Sequence, residues 1–329
     1  MKYLTDKEVS FRLEHRWLDV IKCIEEAFTD PTAEMVPKTY LKAHPQGDFR
    51  AMPSALGDHA CLKWIGVYPN NHLVSDLPTT LGTLLLNNRE TGEPLMAIDC
   101  TTLTAYRTAA TSAIAAKYCA PEAKSFAFIG CGLQAKYHIE AYESIFGHMN
   151  MDIELYDKNE KAQKDVFNWL GKENLCCAWG RNKSVKAAVK DADVITTLTP
   201  SREPYLDIHD IKSNCHINAV GADAVGKREL MTNVIDGSWH MIADDPNQAF
   251  NSGELQYNEW PELTVFRFEE FLKIHESMQL DKGVSVFDST GVAIEDIAVA
   301  SLIYEELTWA EHDQSWEDRY DTTSEFGGV

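Results

Sequence analysis

Lys63 interrupts the apolar run Ala60-Cys61-Leu62-Lys63-Trp64-Ile65-Gly66-Val67, which otherwise reads as a strand. Arg50 opens Phe49-Arg50-Ala51-Met52-Pro53, and Arg107 lies on a helical stretch rich in alanine and threonine, Tyr106-Arg107-Thr108-Ala109-Ala110-Thr111. Each alone is more often a surface side chain whose stem covers apolar area while its head stays in water. Together, near strand and helix ends, the three could clamp a carboxylate, because the guanidinium fork matches its two oxygens. The acidic counterpart is Asp223, in the glycine-bounded turn Gly221-Ala222-Asp223-Ala224-Val225-Gly226 that follows the apolar segment 216–220. Beyond the carboxyl end of a strand, an aspartate can hold an ammonium or iminium group or take a proton. By spacing alone it could equally cap a helix after Gly226.

A second constellation is Ser125-Phe126-Ala127-Phe128-Ile129-Gly130-Cys131-Gly132-Leu133-Gln134-Ala135, an apolar strand running into G-x-G-x-x-A and then a helix. Gly130 permits a tight turn, Gly132 lets the backbone approach a pyrophosphate, and Ala135 keeps helix and sheet close. Leu133 and Gln134 open that helix and offer free N–H groups to phosphates. The next strand, Ile153-Glu154-Leu155-Tyr156, ends in Asp157, where a carboxylate accepts from the adenosine ribose hydroxyls and repels an added phosphate. That favours NAD over NADP, against the plainer reading of a surface acid at a strand end. Thr197 and Thr199, in Val194-Ile195-Thr196-Thr197-Leu198-Thr199-Pro200, offer small hydroxyls for the nicotinamide ribose, and Val220 and Gly221 continue this cofactor edge.

The elements that must position these residues fall into three blocks. Residues 5–29 hold two helical stretches. From about 39 to 100 the pattern turns to strands, including a hairpin with arms 80–86 and 94–98, before an alanine-rich helix over 102–119. From 121, short apolar strands alternate with helices (strands at 125–129, 153–156, 194–198, 216–220, 240–243 and 285–287), which predicts an α/β fold with a doubly wound parallel sheet covered on both faces. A last helix is expected over 292–309, followed by an acidic tail without clear periodicity, read as a partly mobile extension.

Bulk properties narrow the classes. At 329 residues the chain is long enough for two domains, and 44% hydrophobic with 25% charged residues is ordinary for a globular protein. A net charge of -21 disfavours nucleic acid and anionic membrane surfaces as partners. No apolar run suits a membrane span, and the acidic start lacks a signal-peptide core, so a cytoplasmic location is expected. The eight cysteines are scattered without C-x-x-C, which points to reduced thiols and no metal site.

The motifs resemble the ornithine cyclodeaminase/mu-crystallin family, and within it the archaeal type of alanine dehydrogenase. The resemblance covers nearly the whole chain except the acidic tail. It rests on Phe49-Arg50-Ala51-Met52-Pro53, Leu62-Lys63-Trp64 with Pro69-Asn70-Asn71, Arg107-Thr108, and the Gly130 to Ala135 turn. It continues through Thr199-Pro200-Ser201-Arg202, Ile217 to Asp223, and Phe287-Asp288-Ser289-Thr290-Gly291-Val292-Ala293-Ile294-Glu295-Asp296. The resemblance implies that Arg50, Lys63 and Arg107 surround a substrate carboxylate and that Asp223 faces the reacting nitrogen. It implies that Thr108 and the turn Ser289-Thr290-Gly291-Val292 touch the cofactor. It also implies a homodimer, with a Rossmann domain (121–291) inserted in an α+β substrate and dimerisation domain (1–120 and 292–329).

The expected activity is NAD-dependent oxidation at the C–N bond of a small L-amino acid, with Lys63 and Asp223 as catalytic residues and ammonia and a 2-oxo acid as products. Ornithine cyclodeaminase chemistry shares its first half, and a cyclic ketimine reductase, running in the imine-reducing direction, is a further alternative. A cyclodeaminase must also hold a distal amine, and the only acid between Arg50 and Lys63 is Asp58, in a turn-like stretch. Val225 stands where both enzyme types carry proline. A nucleotide-binding protein without turnover is the non-enzymatic alternative, and it would need neither Lys63 nor Asp223.

Overall fold

Strict alternation of inward and outward side chains organises the first part of the chain. The computed structural model describes residues 1–44, 47–71, 77–147, 151–173, 175, 178–258, 263–280 and 282–320. Its first elements are β1 (Lys2–Leu4), α1 (Asp6–Leu13), α2 (Trp17–Thr29), β2 (Glu34–Met35), β3 (Thr39–His44), β4 (Gly47–Leu56), β5 (His59–Val67), β6 (Thr80–Asn88) and β7 (Pro94–Asp99). The strands form one sheet in the order β1-β7-β6-β5-β4-β2, with β3 also paired to β4. All pairs are antiparallel except β1 with β7. Along β4, Arg50, Met52 and Ser54 are buried, and along β5, Cys61, Lys63 and Ile65 are buried while Leu62 and Trp64 face out. Period two therefore turns Lys63 inward, opposite Met52.

Helix α3 (Thr101–Cys119) links the two halves, and it is buried on nearly every side. Its alanines let it lie close to α2 and to α4 (Leu133–Phe146). Apolar residues at Trp17, Val20, Ile21, Ile24 and Phe28 give α2 one buried face, and Trp17 stacks on Tyr106 at 4.3 Å between ring centroids.

The remaining elements are β8 (Ser125–Ile129) before α4, then β9 (Asp152–Tyr156), α5 (Glu160–Glu173), β10 (Ala178–Arg181), α6 (Val185–Val189), β11 (Val194–Thr197), β12 (Cys215–Ala219) and α7 (Thr232–Asp236). After these come β13 (Ser238–Ala243), α8 (Pro246–Ser252), β14 (Val265–Arg267), α9 (Phe268–Ile274), β15 (Val284–Asp288) and α10 (Ala293–Tyr320). The eight strands form a second, all-parallel sheet, ordered β10-β9-β8-β11-β12-β15-β13-β14. The chain passes from β8 outward to β9 and β10, then crosses back to β11. The crevice at this switch lies beyond the carboxyl ends of β8 and β11, where open α/β sheets bind ligands. This is the expected doubly wound sheet, with two added edge strands, β10 and β14.

Two expectations are corrected. The last helix does not stop at Trp309 but continues to Tyr320, since no glycine or proline lies between them. The part of the acidic tail at 321–329 lies outside the described residues. No helix caps on Asp223, because the first helix after β12 is α7. Among the described residues no helix is long and apolar enough to cross a membrane.

Candidate active site

The carboxyl end of the parallel sheet and the inner face of the antiparallel sheet enclose a cavity of about 520 Å³. The antiparallel sheet contributes Arg50, Met52, Lys63, Ile65 and Val67, α3 contributes Arg107 and Thr108, and the parallel sheet contributes loops. Arg50, Lys63 and Arg107 thus meet in one cavity although their sheet and helix differ. Each already carries a carboxylate partner. Arg50 donates through Nε to Asp48 (2.8 Å) and through Nη1 to Asp223 (2.8 Å). Lys63 Nζ lies 2.7 Å from Asp296 Oδ1, with both side chains fully buried. Arg107 Nη1 lies 2.5 Å from Glu295 Oε2, and its Nε is 3.2 Å from Asp296 Oδ1. The three are therefore already charge-paired: α10 delivers two consecutive acids beneath Lys63 and Arg107, while Asp48 and Asp223 hold Arg50. Their bonds leave Nη2 of Arg50 and of Arg107 without a partner among the described residues.

Asp223 stands where the two sheets touch. Its other oxygen accepts from Lys227 at 2.5 Å, and the Tyr40 hydroxyl donates to its backbone carbonyl at 3.3 Å. Burial alone would raise the Asp223 carboxyl, but Arg50, Lys227 and Lys38 outweigh it and hold the group well below the usual carboxylate range. Asp223 is a fixed anion in this arrangement and a poor proton acceptor near neutral pH.

Lys38 was absent from the sequence reading. It lines the same cavity and donates to the Thr290 carbonyl at 2.5 Å rather than to a carboxylate. Burial first, then the neighbouring charge of Arg50, push its ammonium down to about 8. Burial likewise lowers Lys63, with Asp296 opposing and Arg107 adding. Glu295 is pushed up to about 7, chiefly by burial and against the pull of Arg107.

The cofactor edge follows the glycine turn. Gly130 has φ +104, and a Cβ there would sit 3.0 Å from the Leu198 carbonyl, so the turn admits only glycine. A Cβ on Gly132 would meet nothing within 4 Å, so the space over the start of α4 is open, and no side chain caps that helix. Asp157 accepts from the Cys131 N–H at 2.7 Å, which holds its carboxylate against the same turn. An open approach to an uncapped helix start, with an acid at the end of β9, fits a dinucleotide.

Gly132, Leu133, Gln134, Thr199, Val220, Gly221, Ser289 and Gly291 all line the cavity, as does Thr108. Thr197 and Val292 do not. Thr197 ends β11, covered by strands on both sides, and Val292 is packed in the core ahead of α10. Sequence reasoning also passed over Lys227, Glu295 and Asp296. The last two had a usable signal, adjacent acids at the start of an otherwise apolar helix, which is the same anomaly that singled out Lys63.

With this geometry, similarity to known proteins becomes informative. The model of the ornithine cyclodeaminase/mu-crystallin family matches residues 2–311. The chain belongs to that family. The alanine dehydrogenase of Archaeoglobus fulgidus is 37% identical over 301 residues, spanning 87% of this chain and 89% of the relative. The ornithine cyclodeaminase of Agrobacterium tumefaciens (strain Ach5) is 31% identical over 279 residues, spanning 82% and 76%. Among solved structures, an archaeal alanine dehydrogenase dimer with bound NAD superposes with a TM-score of 0.85 at 33% identity, covering 94% of this chain and 97% of that one.

Proposed function

We propose that this member of the family is an NAD-linked dehydrogenase of a small L-amino acid, converting it reversibly to a 2-oxo acid and ammonia. It is an NAD-dependent enzyme of the ornithine cyclodeaminase/mu-crystallin family, whose relatives include both dehydrogenases and cyclodeaminases. The observation that carries the finer reading is the state of Asp223. It is the only acid lining the cavity among the described residues, and both its oxygens already bind cations. With Asp223 committed to the reacting nitrogen, a distal ammonium such as that of ornithine finds no second carboxylate lining the cavity among the described residues, whereas a small apolar side chain suits Met52, Ile65 and Val67.

NAD, when bound, supplies the hydride acceptor for the α-hydrogen. Gly130, Gly132, Leu133 and Gln134 hold its pyrophosphate, Asp157 its adenosine ribose, and the loops at Thr199, Val220–Gly221 and Ser289–Gly291 its nicotinamide end. The substrate carboxylate takes the free Nη2 edges of Arg50 and Arg107, with Lys63 beside it. Asp223 fixes the nitrogen by charge, since its remaining lone pairs accept N–H bonds while it stays ionised. Lys38 in its neutral form accepts the ammonium proton, a role the sequence reading gave to Asp223. Lys63 polarises the developing C=N bond and orients the water that adds to it.

The two sheets support a Rossmann domain over 121–291 inserted in a substrate and dimerisation domain (1–120 and 292–329), and the proposed location is cytoplasmic. A homodimer is supported by the outward face of β5 and β6, where Leu62 and Leu85 are cross-strand partners and Trp64 follows on the same face, all three exposed. The test is steady-state assay of L-alanine, L-ornithine and a cyclic ketimine with NAD or NADH. Net NADH formation with alanine is the expected result. Redox-neutral release of ammonia from ornithine would select the cyclodeaminase, and turnover of the imine alone the reductase.

A further inference from the structure

Glu229 is fully buried, and among the described residues no Lys or Arg lies within ion-pair distance of it. Such a carboxylate is costly unless its oxygens are bonded, so its bonds define its purpose. Oε1 accepts from the Thr199 N–H (2.7 Å), the Thr199 hydroxyl (2.6 Å) and the Tyr205 hydroxyl (2.6 Å), and Oε2 accepts from the Gly221 N–H (2.9 Å). One side chain therefore ties the loop after β11 to the loop after β12. These loops are pressed together, since a Cβ on Gly221 would fall 2.2 Å from the Thr199 carbonyl oxygen.

The same device repeats behind it. Glu254 accepts from the N–H groups of Glu229 (2.7 Å) and Leu230 (3.0 Å). Asp288, the last residue of β15, accepts from those of Glu254 (2.8 Å) and Leu255 (3.3 Å). Three buried carboxylates thus form a ladder, each grasping the backbone that carries the next. It ends on Thr199 and Gly221 and begins beside Ser289–Gly291, so it joins the three loops of the parallel sheet that line the cavity together with Leu133 and Gln134. Burial raises the Glu229 carboxyl, in keeping with a group whose surroundings are N–H and O–H donors rather than cations.

We propose that Glu229 is a positioning residue for the reaction, holding Thr199 and Gly221 as one rigid edge on which the nicotinamide end of the dinucleotide is seated. This rests on the NAD reading above. Rigidity set before binding lowers the ordering cost at binding, so its loss should appear in dinucleotide affinity more than in turnover or amino-acid KM.

Glu229→Gln tests it. The amide keeps one acceptor oxygen but turns an NH2 towards the Gly221 N–H, breaking that arm with little change in volume. The first readout needs no cofactor: hydrogen exchange of the Thr199 and Gly221 amides in the free protein. Exchange at Gly221 should quicken at least tenfold, while the amides of β8 stay as protected as in the wild type. The second is NADH affinity by fluorescence titration, expected to weaken about tenfold or more, with KM for NAD rising and KM for the amino acid unchanged. Glu229→Asp, too short to reach both loops, should not rescue either. Equal NADH affinity within twofold and unchanged protection at Gly221 would overturn the proposal. So would a uniform fall in thermal midpoint and kcat with no shift in NADH affinity. If the wild type itself binds no NADH, the cofactor reading fails, and the exchange arm still judges the tie between the loops. Should Glu229→Gln not fold, Tyr205→Phe removes one donor at Oε1 and must still speed exchange at Thr199; unchanged exchange there overturns the proposal.

Discussion

Replacing Asp296 by Asn removes one charge from the most deeply buried ion pair in the site while keeping the shape of the side chain. Lys63 and Asp296 are both wholly buried, 2.7 Å apart, and Lys63 has no other carboxylate within ion-pair distance among the described residues. Oδ2 of Asp296 has no hydrogen-bond partner, so an amide NH2 placed there sacrifices no bond, and Oδ1 can still accept from Lys63. The loss is therefore chiefly one of charge. Leaving the partner of a buried pair uncompensated costs about 3–5 kcal/mol, and the retained hydrogen bond places this case near the lower figure.

The pH dependence follows from the same pair. Burial already lowers the Lys63 pKa below its unfolded value, and losing Asp296 lowers it further. Over that window the unfolded chain binds more protons than the folded one, so the variant's stability rises with pH. Guanidinium unfolding of the variant at pH 6 and pH 9, followed by circular dichroism and tryptophan fluorescence, should show a larger deficit at pH 6. Lys63→Met with Asp296→Leu, which removes both charges, should recover most of the loss, since Arg107 keeps Glu295. A deficit below about 1 kcal/mol, or a double variant no better than the single, would refute the assignment of Asp296 as the counter-ion of Lys63.

Further expectations concern the cofactor edge and the proton. Asp157→Ser should relax the preference for NAD over NADP, read as the ratio of their kcat/KM values; an unchanged ratio would remove Asp157 from the ribose. Gly132→Val fills open space over the start of α4, so NADH binding should fall by at least tenfold with a thermal midpoint within a few degrees of wild type. If Lys38 accepts the ammonium proton, kcat/KM for amino-acid oxidation should rise with pH through about 8, because the deprotonated amine is the active form. Lys38→Arg should abolish that limb, and a limb that survives would assign it to another group.

Much of this was legible in the sequence because it depends on local pattern. The strand-turn-helix at Gly130 to Ala135 is fixed by glycine sterics, and the inward turn of Lys63 follows from period two in β5. What escaped depends on distant packing. The edge strands β1, β10 and β14 are too short to show periodicity. No local signal says that β15, last in the chain, inserts between β12 and β13, yet this brings Ser289–Gly291 to the cavity and starts α10 beneath it. Glu295 and Asp296 consequently reach Arg107 and Lys63 across 188 and 233 residues of chain. Lys38 follows Pro37 in a stretch with no regular pattern, so nothing in its neighbours sets it apart. The carboxylates that pair with Arg50, Lys63 and Arg107 were illegible for that reason: composition shows charges, while only the fold shows which are already neutralised.

The most direct measurement pairs reduced-nicotinamide absorbance with L-alanine and NAD against an NADH titration, for wild type and Asp223→Ala side by side. Wild type should form NADH with alanine, and the variant should lose turnover by at least a thousandfold while binding NADH within a few fold of wild type. No turnover of alanine, ornithine or cyclic imine by the wild type, or near-normal turnover by Asp223→Ala, would contradict the account.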